Sequence, residues 1–231
     1  MNAIAPLPFR PQAVLFDMDG LLLESERAII GCLARAAGEL GHDLPGTLWL
    51  AMIGNGEAVC RSMLHARIGE SATAAVLEKT RALYTDIVEA GVPHRPGVRP
   101  LLDWLQENGL PRAVATSTRR PLALQKLQAA GLLEHFHAVC TSSDVARPKP
   151  APDVYLLAAE KLAVPPARCL VLEDSPTGVR AALAAGMTAI QVPDMLPPDD
   201  DVRALGHRIV DSLHQVRQLL QDCPAASLAA G

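Results

Sequence analysis

Aromatic side chains are scarce in this chain: Phe, Tyr and Trp together make up 3% of its 231 residues. Proteins that stack bases need such rings, and they also need a cationic face. Here Lys and Arg are interspersed with Asp and Glu, and the formal net charge is -4. Nucleic acid is therefore not expected as a direct partner. No apolar run reaches the roughly 18 residues of a membrane-spanning helix, so no membrane role is expected either. The opening MNAIAPLPFRPQ lacks the basic stretch and apolar core of a secretory signal. The five cysteines (Cys32, Cys60, Cys140, Cys169 and Cys223) are odd in number and widely spaced, with no C-x-x-C pair. They read as buried thiols acting as small hydrophobes, as suits a reducing cytoplasm. No internal repeat is visible.

What is present is apolar and rich in Ala and Leu, with hydrophobic residues at 49%. That allows a sizeable core with many helices. Residues 1–12 hold three prolines and read as a surface arm. The apolar run Ala13 to Phe16 reads as a buried strand. From Glu24 to Ala90 the spacing is helical, with helices expected from about 24 to 40 and over 48–53, 57–68 and 72–90. Beyond Pro96 strands and helices alternate: strands at 112–115, 138–140, 169–172, 188–192 and 208–210, helices at 98–108, 121–130, 152–162, 176–185 and 213–221. Such alternation implies an α/β fold with a Rossmann-like parallel sheet and right-handed crossovers. The expected division is a core of residues 1–23 and 95–231, with an inserted α-helical cap over 24–94. The segment 197–201, PPDDD, reads as a solvated loop, and the tail from Pro224 as frayed.

The first strand runs straight into Asp17-Met18-Asp19-Gly20. Two carboxylates at the end of a buried strand raise each other's pKa unless a cation or hydrogen bonds offset them. Parallel sheets carry their ligand sites at the carboxyl ends of strands. Other strands end in polar groups too. The second ends in Thr116 and Ser117, the loop after the third carries Lys149, and the fourth ends in Glu173 and Asp174. All fall at one edge of the expected sheet.

This set suits phosphoryl transfer, which needs positioning and charge neutralisation around the phosphoryl oxygens. Mg²⁺ prefers a few carboxylates and retained waters; Asp17 and Asp174 supply them, with Glu173 nearby or through water. Lys149 can bridge a carboxylate and a phosphate oxygen. Thr116 and Ser117, at a helix N-terminus, can donate to an anion. One carboxylate can attack phosphorus, and a second can protonate the leaving oxygen and then activate water.

The set resembles the haloacid dehalogenase superfamily. Its four motifs match DMDG at Asp17 to Gly20, AVAT at Ala113 to Thr116, the lysine in RPKPAPDVY at Lys149, and LED at Leu172 to Asp174. The resemblance covers about residues 12–220. It implies Asp17 as nucleophile and Asp19 as general acid/base. It also implies Mg²⁺ held by Asp17, the backbone carbonyl of Asp19 and Asp174, with Glu173 assisting. The helical insert resembles the cap of the branch that holds β-phosphoglucomutase and many small phosphatases.

Departures from that branch narrow the reaction. Dehalogenases of the superfamily lack the second aspartate, which is present here as Asp19. The cap histidine, lysine and arginine of the β-phosphoglucomutases are matched here by Ile29, Ile53 and Glu57, which would not grip a second phosphate. Phosphonatases need a cap lysine, and the one present, Lys79, lies late in the cap. The resemblance therefore favours a phosphomonoesterase on a small phosphorylated metabolite; a cytoplasmic monomer is expected. The candidate substrate contacts are Glu24, Asn55, Arg119 and Gly20, beside Thr116, Ser117 and Lys149. Polar residues near the site suggest a sugar phosphate. A phosphosugar mutase is the rival enzyme. A phospho-accepting regulatory domain is the non-enzymatic rival, set aside because it lacks the second acid and the lid.

Overall fold

The computed structural model describes residues 7, 9–53 and 57–223. Six parallel strands, β1 (Ala13–Phe16), β2 (Arg112–Thr116), β3 (Ala138–Thr141), β4 (Cys169–Glu173), β5 (Thr188–Gln191) and β6 (Arg208–Ile209), form one sheet in the order β3-β2-β1-β4-β5-β6. The order reverses at β1, which pairs with β2 on one side and β4 on the other. That reversal is where an open α/β sheet forms its ligand crevice.

Four helices lie between β1 and the next β-α unit: α1 (Ser25–Glu39), α2 (Gly46–Met52), α3 (Glu57–Ile68) and α4 (Glu70–Ala90). Then come α5 (Val98–Glu107), α6 (Arg120–Ala129), α7 (Asp153–Lys161), α8 (Pro176–Ala184), α9 (Asp200–Arg203) and α10 (Leu213–Gln221), with short 3₁₀ turns at Leu133–His135, Ser142–Asp144 and Pro166–Arg168. The expected α/β sheet with a helical insert is what folds.

Alternation along the strands builds two unlike layers. Val14, Phe16, Val114, Leu170, Leu172 and Ile190 face a bulky core shared with α5 and α10. Ala13, Leu15, Ala113, Ala115, Val171 and Ala189 face α7 and α8, where small side chains allow close approach. The insert has its own core, with Leu33, Ala36, Trp49, Met52, Leu64 and Val76 buried together.

The arm is not wholly on the surface. Leu7 is buried in the main core, and the Phe9 carbonyl accepts from the Cys223 thiol at 3.7 Å. Its apolar side chain explains the difference: burial outweighs the flanking prolines. The PPDDD segment also differs from a plain loop. Asp199 accepts from the Val202 N–H at 2.9 Å and caps α9, while Val202 anchors that turn in the interior. All five cysteines are free thiols, four of them buried. The tail from Pro224 lies outside the described residues. Among the described residues, no helix is long and apolar enough to cross a membrane.

Candidate active site

β1 delivers Asp17 to the switch point, and the Asp17 N–H donates to the Leu172 carbonyl of β4 at 3.0 Å. The side chain is nearly buried. β4 delivers Glu173 and Asp174 alongside. Carboxylate oxygens of Asp17, Glu173 and Asp174 lie within 4.8 Å of one another. Lys149 reaches in from the loop after β3 and donates to Asp17 Oδ1 and to Glu173 Oε1, each at 2.6 Å.

The three acids are not equivalent. Glu173 is fully buried and accepts five donors. Lys149 and the Tyr155 hydroxyl (2.7 Å) meet Oε1; the Asp174 N–H, Ser175 N–H and Ser175 hydroxyl (3.0 Å each) meet Oε2. A carboxylate has about four lone-pair sites. Burial alone would raise Glu173, but Lys149 and these hydrogen bonds outweigh it and hold the group below its ordinary value. Burial raises Asp17 to about 7 despite Lys149. Burial, then the Glu173 and Asp17 charges, raises Asp174 well above its ordinary range. Lys149 is desolvated too, yet Asp17 and Glu173 keep it protonated.

Three carboxylates thus share one ammonium in a buried, all-oxygen pocket. This donor set fits a hard divalent cation, whose charge would offset what Lys149 leaves over. Asp17 and Asp174 are the acids with capacity to hold it. Glu173, saturated by donors, fixes the loop and the lysine. Gly20 is needed for this approach: a Cβ there would lie 2.1 Å from Asp174 Oδ2, and its φ of +83° suits only glycine comfortably. Gly178 serves Glu173 likewise, since a Cβ there would meet Oε1 at 1.6 Å.

Asp19, beyond buried Met18, points into a different set of contacts. Lys126 of α6 donates to Oδ1 at 2.7 Å, and the Thr118 hydroxyl donates to Oδ2 at 2.5 Å. Burial pushes Asp19 up, but Lys126 and Thr118 outweigh it and hold its carboxyl below the ordinary value. Tyr84 of α4 places its ring 5.2 Å from the Lys126 nitrogen, so the insert touches this pair directly. Thr116 is buried at the end of β2, and its hydroxyl oxygen accepts from the Thr118 N–H at 3.0 Å. Ser117 is exposed in the same turn, ahead of α6.

Other expected residues stand apart. Glu24 lies in the hinge, where its N–H donates to the Pro93 carbonyl at 2.8 Å; its carboxylate has no ion pair among the described residues. Arg119 is exposed at the start of α6, also without one. Asn55 lies outside the described residues. Tyr155, Lys126 and Thr118 were not expected. Lys126 leaves a readable trace, as a lone charge in the buried stripe Ala123, Lys126, Leu127 of α6.

A family model described as haloacid dehalogenase-like hydrolase matches residues 11–186. The chain belongs to the haloacid dehalogenase-like hydrolases. Hexitol phosphatase A of Escherichia coli K12 is 34% identical over 203 residues, covering 87% of this chain and 92% of that protein. A solved candidate β-phosphoglucomutase from Thermotoga maritima superposes with a TM-score of 0.77 at 27% identity, covering 91% of this chain and 98% of the other. A haloacid dehalogenase family hydrolase from Deinococcus radiodurans, solved with phosphate and sodium, gives 0.76 at 30% identity, over 94% and 99%. The four sequence motifs that resemble this family end at the same edge of the sheet through Asp17, Thr116, Lys149 and Asp174.

Proposed function

We propose that the chain is a Mg²⁺-dependent phosphomonoester hydrolase that acts on a small phosphorylated metabolite of carbohydrate type, through an aspartyl-phosphate on Asp17. That it is a phosphatase of the haloacid dehalogenase type follows from the family model and from relatives such as the hexitol phosphatase. The observation that carries the mechanism is Lys149 bridging Asp17 and Glu173, with Asp174 within reach.

Mg²⁺, when bound by Asp17 and Asp174, supplies charge neutralisation at the phosphoryl oxygens. Lys149 orients Asp17. A carboxylate oxygen of Asp17 attacks phosphorus, and the bond from phosphorus to the leaving alcohol's oxygen breaks. Asp19 in its acid form gives that oxygen a proton. Its ionised form, the one Lys126 and Thr118 favour, then takes a proton from water as the water attacks phosphorus and frees Asp17. The Thr116 hydroxyl, with its oxygen occupied by the Thr118 N–H, has its proton free for a phosphate oxygen, and Ser117 lies beside it. Residues 24–94 act as the cap that closes over this edge and excludes water.

The likeness to a candidate mutase supports a second reading, in which the phosphoryl group returns to the sugar. Ile29 and Ile53 at the cap positions oppose it, because neither grips a second phosphate. The test is phosphate release with Mg²⁺ across sugar, polyol, nucleotide and glycolate phosphates. Free phosphate from one class supports hydrolysis. Isomerised hexose phosphate without free phosphate, given a catalytic bisphosphate, supports the mutase.

A further inference from the structure

The edge of the sheet opposite the acids carries a cluster of cationic side chains. Arg112 opens β2 and Thr116 closes it, so about 13 Å of extended strand separates Arg112 from the phosphoryl site. Alternation puts the Arg112 side chain on the Val114 face, toward α5. There it lines a cavity of about 300 Å³ with Gln106, Gly109, Glu134, His135, Phe136 and His137. That volume lies at the lower end of small-molecule sites. The Phe136 ring, held edge-on against Phe16 with 5.6 Å between centroids, gives the cavity a firm apolar wall.

Arg112 is 5% exposed and has no carboxylate partner among the described residues. Its Nη1 donates to the Leu110 carbonyl at 3.1 Å and its Nη2 to Gln106 Oε1 at 3.4 Å. Its Nε–H is buried with no partner among the described residues. A buried guanidinium without a counter-charge is costly, and burial draws its pKa below the ordinary value.

His135 lines the same cavity with a similar need. Its Nε2 lies 3.0 Å from Arg99 Nη1. Arginine nitrogens only donate, so Nε2 accepts and the ring proton sits on Nδ1. Burial, then the Arg99 and Arg112 charges, lower His135 and keep the ring neutral. The Nδ1–H is buried and also lacks a partner among the described residues. Two unspent donors, one of them on a fixed cation, thus line one cavity. The nearby acids do not meet them: Glu134 and Asp103 are exposed and form no ion pair among the described residues.

We propose that this cavity binds a small oxyanion, a phosphate or a carboxylate, through Arg112 and His135. An oxyanion supplies acceptors to both donors and a counter-charge to the guanidinium, whereas water supplies acceptors alone. The site stands at the far edge of the sheet from Asp17, so it goes beyond the phosphatase reading and does not rest on it.

The test titrates the full chain with inorganic phosphate and, separately, with acetate. EDTA is present, so that no metal draws phosphate to Asp17. Long-range ¹H–¹⁵N spectra follow the His135 ring, and its Nδ1 resonance should shift saturably with a Kd of about 1 mM or tighter for one of the two anions. The tighter anion names the ligand class. Arg112→Gln and His135→Phe, the latter read by calorimetry, should each weaken binding by at least about tenfold. Lys149→Met, which alters the phosphoryl site, should leave it unchanged. Circular dichroism identifies variants that fold, and the wild-type His135 resonance decides the matter if Arg112→Gln does not. No saturable shift with either anion overturns the inference. So does binding that Lys149→Met abolishes and Arg112→Gln retains, since the anion then lies at the phosphoryl site. Phosphate release from esters is a separate measurement, and the phosphatase reading stands or falls on that alone.

Discussion

Lys126 donates to Asp19 Oδ1 at 2.7 Å from the buried face of α6, a contact 107 residues apart in sequence. The pair keeps Asp19 ionised and turned toward Thr118 and the insert. Replacing Lys126 by Met leaves Asp19 without its counter-charge. General acid/base catalysis supplies about 10²–10⁴-fold in rate. Lys126→Met is therefore expected to lower kcat by about tenfold or more, with a smaller change in KM, and Lys126→Arg to recover part of the loss. Steady-state kinetics on any hydrolysed ester decides it; an unchanged kcat would reduce the pair to packing.

Asp17 carries a pH signature. Its folded value, about 7, lies above its ordinary 3.8 because it is buried. The folded state thus binds this proton more tightly than the unfolded chain does. The stabilising contribution is complete below pH about 4 and declines as pH rises to about 7. In EDTA, the unfolding free energy of the wild type should fall across that window relative to Asp17→Asn, and added Mg²⁺ should reverse the fall. The same variant should lose activity by at least about a thousandfold. Parallel stability curves for the two proteins would contradict the assignment.

Gly20→Ala introduces a methyl where Asp174 Oδ2 now sits, at a φ of +83°. The backbone strain costs about 1–2 kcal/mol. Asp174 must also withdraw. Reduced Mg²⁺ affinity and a kcat/KM loss of about a hundredfold are expected from a second-contact change of this kind. Mg²⁺ titration of activity and chemical denaturation measure the two effects separately.

Asp194 ties the insert to the sheet. Its Oδ1 accepts from Arg27 of α1 at 2.9 Å and from Arg95 in the returning linker, and the Arg95 guanidinium also donates to the Pro193 carbonyl at 3.0 Å. The acid is almost fully buried, with its Oδ2 unpartnered among the described residues. Asp194→Ala should lower stability by about 3 kcal/mol, because Arg95 is left without its charge partner. Urea unfolding checks this, and a rise in KM would show that the tie also sets the insert's position.

The sheet and the motif acids were legible because they sit where strand patterns stop. Asp17, Thr116, Glu173 and Asp174 each follow an apolar run, and a parallel sheet collects such ends on one edge. Lys149 was legible from its proline-flanked motif. What stayed hidden comes from helix faces. Lys126 and Tyr155 reach the acids from α6 and α7, and only packing determines which helical face turns inward. The saturation of Glu173 by five donors was equally hidden, because three of them come from the fold of its own loop. Leu7 escaped notice because the prolines on either side masked a single anchoring residue.

The chain enters and leaves the helical insert at one place. Leu23 and His94 meet as an antiparallel bridge, flanked by bonds from the Glu24 N–H to Pro93 and from the Arg95 N–H to Leu22. To the sheet, the insert is a loop whose ends are already fastened, and the cost of closing a loop grows only slowly with its length. Mutation can therefore reshape, lengthen or exchange the insert's helices while the acids beneath stay in register. What the enzyme accepts and what it does to it are inherited as separable traits.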